Sequence, residues 1–200
     1  MGNFPVVYIS YEDAKAYVLT NPALFQLFKK AADRYIGGET LEETIAKAMT
    51  FDNQKFSMEF MGESTRTEQQ SNEATQEFIR ICEQIRLQNL NATVSLDLSH
   101  IGLALSKDLC LSNLQSICVE AAKSNIELII SAEGTERTDA IIDIYKQEIK
   151  KYNHLALTLQ AYLYRTKDDF EEVKKENGRI RIVKGAFETA EGLSIPRGDK

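Results

Sequence analysis

None of the three cysteines, Cys82, Cys110 and Cys118, forms a CxxC pair, and the only histidines are His100 and His154. No Cys/His cluster has metal-ligand spacing, so no metal site is expected. An odd cysteine count would leave a thiol over in a secreted disulfide framework. The plain reading is buried helix-face thiols in a reducing cytoplasm, the expected location. No apolar run approaches the roughly 20 residues of a membrane span. The opening MGNFPVV lacks the basic n-region and continuous apolar stretch of a secretory signal. Gly2 follows Met1, but Val6 stands where myristoylation needs serine or threonine. Positive charge is not in excess: 24 Lys and Arg face 30 Asp and Glu, a net charge of −6. A phosphate-binding surface for nucleic acid is therefore not expected. No G-x-G-x-x-G follows any apolar stretch, which removes the phosphate loop of a Rossmann dinucleotide site.

What remains is an ordinary globular mixture. The 200 residues are 43% hydrophobic and 27% charged, enough for a real core and for one domain or an incomplete larger one. Residues 1–50 read as helical. Asn21-Pro22 offers an N-cap and a first-turn proline, Gly37-Gly38 a stop, and Thr40-Leu41-Glu42-Glu43 a capping box. From residue 51 to 200 the period changes. Five strand-length apolar stretches appear: Phe56–Met61, Val94–Leu98, Ile126–Ala132, Leu155–Leu163 and Ile180–Ala186. The gaps carry helical faces: Ala74, Phe78, Ile81, Cys82, Ile85; then Leu111, Leu114, Ile117, Cys118, Ala121, Ala122; then Ile141, Ile142, Tyr145, Ile149. A last short helix is expected to start at a capping box, Thr166–Asp169, to turn Phe170 and Val173 inward, and to close at Asn177-Gly178. Strand alternating with helix predicts an α/β fold with parallel strands and crossover helices. Pattern alone leaves an open doubly wound sheet and a TIM-type barrel both standing.

In either architecture, chemistry gathers at the C-terminal strand ends. Those ends carry Glu59 and Glu63, Asp97 and Ser99, Ser131 and Glu133, Gln160 and Arg165, and Arg181 and Lys184. A polar group buried without a partner costs about 2–7 kcal/mol. One or two at every tip therefore suggests a shared polar site. The competing reading is a set of internal salt bridges filling a barrel mouth.

Gln160-Ala161-Tyr162-Leu163-Tyr164-Arg165-Thr166 and Arg181-Ile182-Val183-Lys184-Gly185-Ala186-Phe187 resemble two signature stretches of proline dehydrogenases, QAYLxRT and RLVKGAY. Met61-Gly62-Glu63 is similar to the family's LGE turn, Val94–Ser99 to its VSxKLS strand, and Ile130–Glu133 to its IDxE strand. Five motifs fall in family order between Phe56 and Gly198. The resemblance implies a partial TIM-type (β/α)8 barrel holding FAD, with about five strands following the N-terminal helices. It implies oxidation of L-proline to Δ1-pyrroline-5-carboxylate with electrons passed to a quinone, and a peripheral contact with the membrane that holds the quinone. By the same resemblance Gln160 meets the pyrimidine side of the flavin ring, Arg181 its N5 edge, and Lys184 the cofactor nearby. Arg181, Asp97 and Ser131 are the candidate catalytic residues, and Asp97 and Phe187 face the substrate.

Three positions depart from the family pattern, all on the substrate side. Asp97 stands where the family has lysine, Ser131 where it has aspartate, and Phe187 where it has tyrosine. An aspartate facing a substrate carboxylate at 4 Å costs about 1 kcal/mol in water and more at lower dielectric. A full barrel needs eight strands and about 250 residues. The five strands here imply a truncated product, or a partner chain over the gap. Two further readings therefore stand beside proline oxidation. One is a flavin-dependent dehydrogenase of a cyclic amine without a carboxylate; the other is a non-catalytic remnant acting as an interaction module.

Overall fold

The computed structural model describes residues 11–32, 35–51, 54–62, 64–185 and 187–196. Glu63, Ala186, Gly198 and the opening MGNFPVV lie outside the described residues. The chain divides after Phe51 into two compact units. The first holds helices α1 (Tyr11–Thr20), α2 (Pro22–Ala32) and α3 (Leu41–Ala48). Asn21 caps α2, its side-chain oxygen accepting from the Leu24 N–H at 3.2 Å. Pro22 takes the first helical position, where a missing N–H costs nothing. Thr40 caps α3 by accepting from the Glu43 N–H at 3.2 Å. The return arm of the expected capping box goes elsewhere: the Glu43 carboxylate accepts from the Glu39 N–H at 2.8 Å. Leu41, Ile45 and Ala48 of α3 are buried, whereas α2 has no buried residue despite its apolar stripe.

The second unit is a five-stranded sheet: β1 (Phe56–Glu59), β2 (Ala92–Leu96), β3 (Leu128–Ile130), β4 (Leu155–Gln160) and β5 (Arg179–Val183). All four pairings are parallel, and the strands lie side by side in chain order. One helix crosses over between each pair: α4 (Glu68–Leu87), α5 (Lys107–Ala122), α6 (Thr138–Glu148) and α7 (Thr166–Val173). A doubly wound sheet reverses its order at a switch point, and this one does not. The order is that of a (β/α)8 barrel, of which five strands and the four helices between them are present among the described residues.

Strand ladders end earlier than the apolar stretches. Beyond β2, the His100 N–H turns back to the Asp97 carbonyl; beyond β4, the Leu163 N–H turns back to that of Gln160. Asp97–Leu98 and Ala161–Leu163 have strand composition but sit in turns at the mouth. Three helix-face expectations are also corrected. Leu111 is half-buried and Ala122 exposed, because α5 buries Cys110, Asn113 and Leu114 on a slightly rotated stripe. Phe170 is 39% exposed, and of the two Val173 alone is fully inside. No capping box forms at Thr166: that hydroxyl donates to the Gln160 carbonyl, and Asp169 is engaged by Arg165 instead.

Alternation gives the sheet two unlike faces. Val94, Leu96, Leu128, Ile130, Leu155, Leu157 and Leu159 are 0–4% exposed; Leu157 and Leu159 lie with Ile141 and Ile142 of α6. Each such side chain contributes about 1.5–3 kcal/mol by leaving water. The other face carries Ser57, Ser95, Thr158, Gln160 and Arg181. Arg181 of β5 donates to Ser95 of β2 at 3.0 Å. Three strand steps on a flat sheet are about 14 Å, more than an arginine can span, so the sheet is strongly curled with its polar face inside. Below, Glu127 at the foot of β3 pairs with Arg179 of β5 at 2.9 Å and approaches Lys55 at 3.9 Å. Cys82, Cys110 and Cys118 are buried, unpaired thiols on α4 and α5.

Candidate functional site

The concave face is built from period-two polar residues on strands that bury apolar residues at alternate positions. Thr158 and Arg181 are register partners on β4 and β5. The Arg181 Nε–H donates to Thr158 Oγ1 at 2.8 Å, and its Nη1 to Ser95 Oγ. Ser95 in turn meets Ser57 Oγ of β1 at 3.1 Å. Among the described residues Arg181 has no ion-pair partner. Its cation is positioned by hydroxyls and not neutralised, with guanidinium N–H groups left to donate.

Gln160 ends β4 on the same face, two residues beyond Thr158, and is buried. Its Nε2 donates to the Glu133 carbonyl at 3.1 Å, leaving the amide oxygen to accept. Glu133 is 4% exposed. Its Oε1 accepts from the Ser99 N–H at 3.0 Å, and its Oε2 lies 3.7 Å from Arg137. Ser131 is buried beside it, its N–H donating to the Leu96 carbonyl at 2.9 Å. Asp97 is half-buried one residue past β2.

The structure thus brings Gln160 and Arg181 onto one concave face, with Asp97 and Ser131 on the tips beside it. It places the others differently. Lys184 is exposed beyond β5, its carbonyl accepting from the Tyr162 N–H at 3.2 Å. Phe187 is 42% exposed, and its carbonyl accepts the Tyr162 phenol at 2.9 Å. Arg165 does not join the shared site. It grips Asp169 at 2.8 and 3.0 Å and also pairs with Asp139, which raises its pKa. Glu59 is exposed.

Sequence reading missed Ser95 and Thr158, although their spacing from Asp97 and Gln160 is the period of two that marks one strand face. It also missed His100, which packs against Phe60 and Phe78 with ring centroids 5.0 and 5.7 Å away. Burial holds the His100 pKa below its ordinary value. Burial, reinforced by the Glu133 charge, pushes the Cys110 thiol up to about 12, which removes it as a nucleophile. No helix among the described residues is long and apolar enough to cross a membrane.

A protein-family model described as proline dehydrogenase matches residues 41–194. The chain is 34% identical over 168 residues to proline dehydrogenase 2 of Bacillus subtilis (strain 168), which covers 83% of this chain and 55% of that protein. It is 28% identical over 167 residues to proline dehydrogenase 1 of the same strain, covering 82% and 55%. The fold is similar to that of proline utilization A (PutA) from Bdellovibrio bacteriovorus, inactivated by N-propargylglycine. That match has a TM-score of 0.67, 15% identity, and covers 88% of this chain and 23% of the other. A PutA mutant from Bradyrhizobium japonicum matches with a TM-score of 0.64, 19% identity, and 91% and 22% coverage. The chain spans about half the length of the curated relatives it matches.

Proposed function

The chain belongs to the proline dehydrogenase family, and on that premise we propose that it carries the cofactor side of an FAD-dependent enzyme oxidising L-proline to Δ1-pyrroline-5-carboxylate. The observation that carries the reading is the meeting of Gln160 and Arg181 on one concave polar face at the strand tips. The donor set suits an isoalloxazine. Gln160 keeps an amide oxygen to accept from a ring N–H, and Arg181 keeps N–H donors and an unneutralised charge. When bound, the flavin supplies the two-electron acceptor. Arg181 places positive charge where the reduced ring carries negative charge. Gln160 fixes the ring's orientation, and the hydroxyls of Ser95 and Thr158 hold Arg181 still. Lys184, exposed beyond β5, would contact the cofactor from that side. Electrons pass on to a quinone at a membrane surface, and the protein works in the cytoplasm.

Asp97 favours a second substrate. A carboxylate at the β2 tip disfavours the carboxylate of proline nearby and favours a cationic cyclic amine, by the sign of its charge. Neither Ser131 nor Phe187 adds a cation for that carboxylate, and Phe187 lacks the hydroxyl that a tyrosine would donate. Titration of the purified protein with FAD, followed by anaerobic addition of L-proline or pyrrolidine, tests both. Quenching of flavin fluorescence on titration is the expected result for this chain, with little or no turnover; bleaching of the visible band by proline would extend the reading to the whole reaction. Bleaching by pyrrolidine alone transfers the activity to the amine. Protein that neither purifies yellow nor quenches FAD is an interaction module, and the enzyme reading is dropped.

A further inference from the structure

Four residues at the mouth form a closed ring. The Ser64 N–H donates to Ser99 Oγ at 3.1 Å. The Ser99 N–H donates to Glu133 Oε1 at 3.0 Å. Glu133 Oε2 lies 3.7 Å from Arg137 Nη1, and Arg137 Nη2 returns to Ser64 Oγ at 3.3 Å. The ring spans the loop after β1, the tip of β2 and the tip of β3. Ser64 sits at φ 48, a left-handed conformation that a serine holds only when its surroundings impose it. Glu133 is the member on which the ring converges, and its own backbone carbonyl holds the Gln160 amide. Its Oε2 has no hydrogen bond and depends on Arg137 for compensation. A buried carboxylate is costly unless it is hydrogen-bonded and paired, so the Ser99 N–H and Arg137 have to stay in place around Glu133.

We propose that Glu133 is a positioning residue. Through the Ser64–Ser99–Glu133–Arg137 ring it sets the place of the β3 tip, and through its carbonyl it aims the Gln160 amide at the cofactor. The proposal rests on the flavin reading above. It adds a tether that acts only through Gln160 and touches no substrate or cofactor itself.

A double-mutant cycle on FAD affinity tests it, read by fluorescence quenching in Glu133→Ala, Gln160→Ala and the double variant. Glu133→Ala is expected to weaken FAD binding about tenfold, and Gln160→Ala by a similar factor. In the Glu133→Ala background the Gln160→Ala factor should shrink to less than about threefold. Glu133→Gln keeps an acceptor for the Ser99 N–H and should recover most of the affinity, which also covers the case in which the alanine variant fails to fold. An unchanged Gln160→Ala factor in both backgrounds, or a glutamine variant as poor as alanine, overturns the proposal. A second arm needs no cofactor: hydrogen exchange at the Ser99 amide should speed at least about tenfold in Glu133→Ala, while ladder amides of β3 and β4 stay protected. Unchanged Ser99 exchange overturns the ring. If the parent protein binds no FAD, the flavin reading falls by itself, and this arm still decides whether Glu133 locks the tips.

Discussion

Replacing Arg181 by methionine keeps an apolar stem and deletes the group that ties Thr158 to Ser95. Two inward hydroxyls lose a donor, at a cost of about 1–3 kcal/mol. Urea midpoints at unchanged slope should show that loss, and FAD affinity should fall at least tenfold, on the order of the 1.4 kcal/mol or more set by one charge-assisted hydrogen bond. His100 gives a second test, through pH. Burial among Phe60 and Phe78 lowers its pKa, so the folded form stays neutral where the unfolded chain takes up a proton. Stability is then complete above the unfolded value near 6.5 and declines as pH falls from there toward the lower folded value. His154, also lowered by burial, adds to the same decline. His100→Gln should flatten part of the drop in urea midpoint between about pH 7 and pH 5.5, above most carboxylate titration. An unchanged drop would remove His100 as its source. Neither residue's partners were legible beforehand. Arg181 and Ser95 lie 86 positions apart, and no local pattern reports a bond between strands that are not neighbours.

At the scale of elements, local chemistry is decided by a few backbone positions. Thr67 caps α4 by accepting from the Gln70 N–H at 3.2 Å. Thr67→Ala should cost about 1 kcal/mol, measured by thermal or urea unfolding. Gly185 follows β5 at φ +93, and a Cβ there would meet the Tyr162 ring at 2.0 Å. Gly185→Ala combines strain with a clash against a ring anchored by its phenol to the Phe187 carbonyl. Its expected cost, about 2–4 kcal/mol, exceeds that of the cap. Tyr162→Ala in the same chain should relieve the clash but not the strain, and recovery should therefore be partial. Helix positions were readable because caps and 3.6-residue stripes are local: Asn21, Thr40 and the α4 face all sit where the sequence puts them. The helix α7 also starts at Thr166 as expected, but its capping was not readable, because Arg165 outcompetes the backbone for Asp169. A bidentate charged bond is stronger than a cap, and nothing in the motif Thr166–Asp169 reveals that competitor.

At the scale of the molecule, curl and edges follow from one pattern. The order of elements and their parallel sense were legible, since a helix separates each apolar stretch from the next and the family motifs occur in series. The curl was implied by the family resemblance but not by the residue pattern, because it is held by Arg181 to Ser95 above and Arg179 to Glu127 below, bonds that exist only once the sheet has bent. These braces satisfy the inner face while β1 and β5 each keep one side unpaired among the described residues. Ile182 on β5 is 52% exposed and lies on the face opposite Arg181. A strand edge with an exposed apolar residue is a template for pairing with another chain. The 200-residue chain should therefore gain mass with concentration in light scattering. Ile182→Lys places a charge on that edge, leaves the inner braces intact, and should hold the mass at the monomer value with an unchanged circular dichroism spectrum. Equal concentration dependence in both proteins would mean that association uses a surface other than β5.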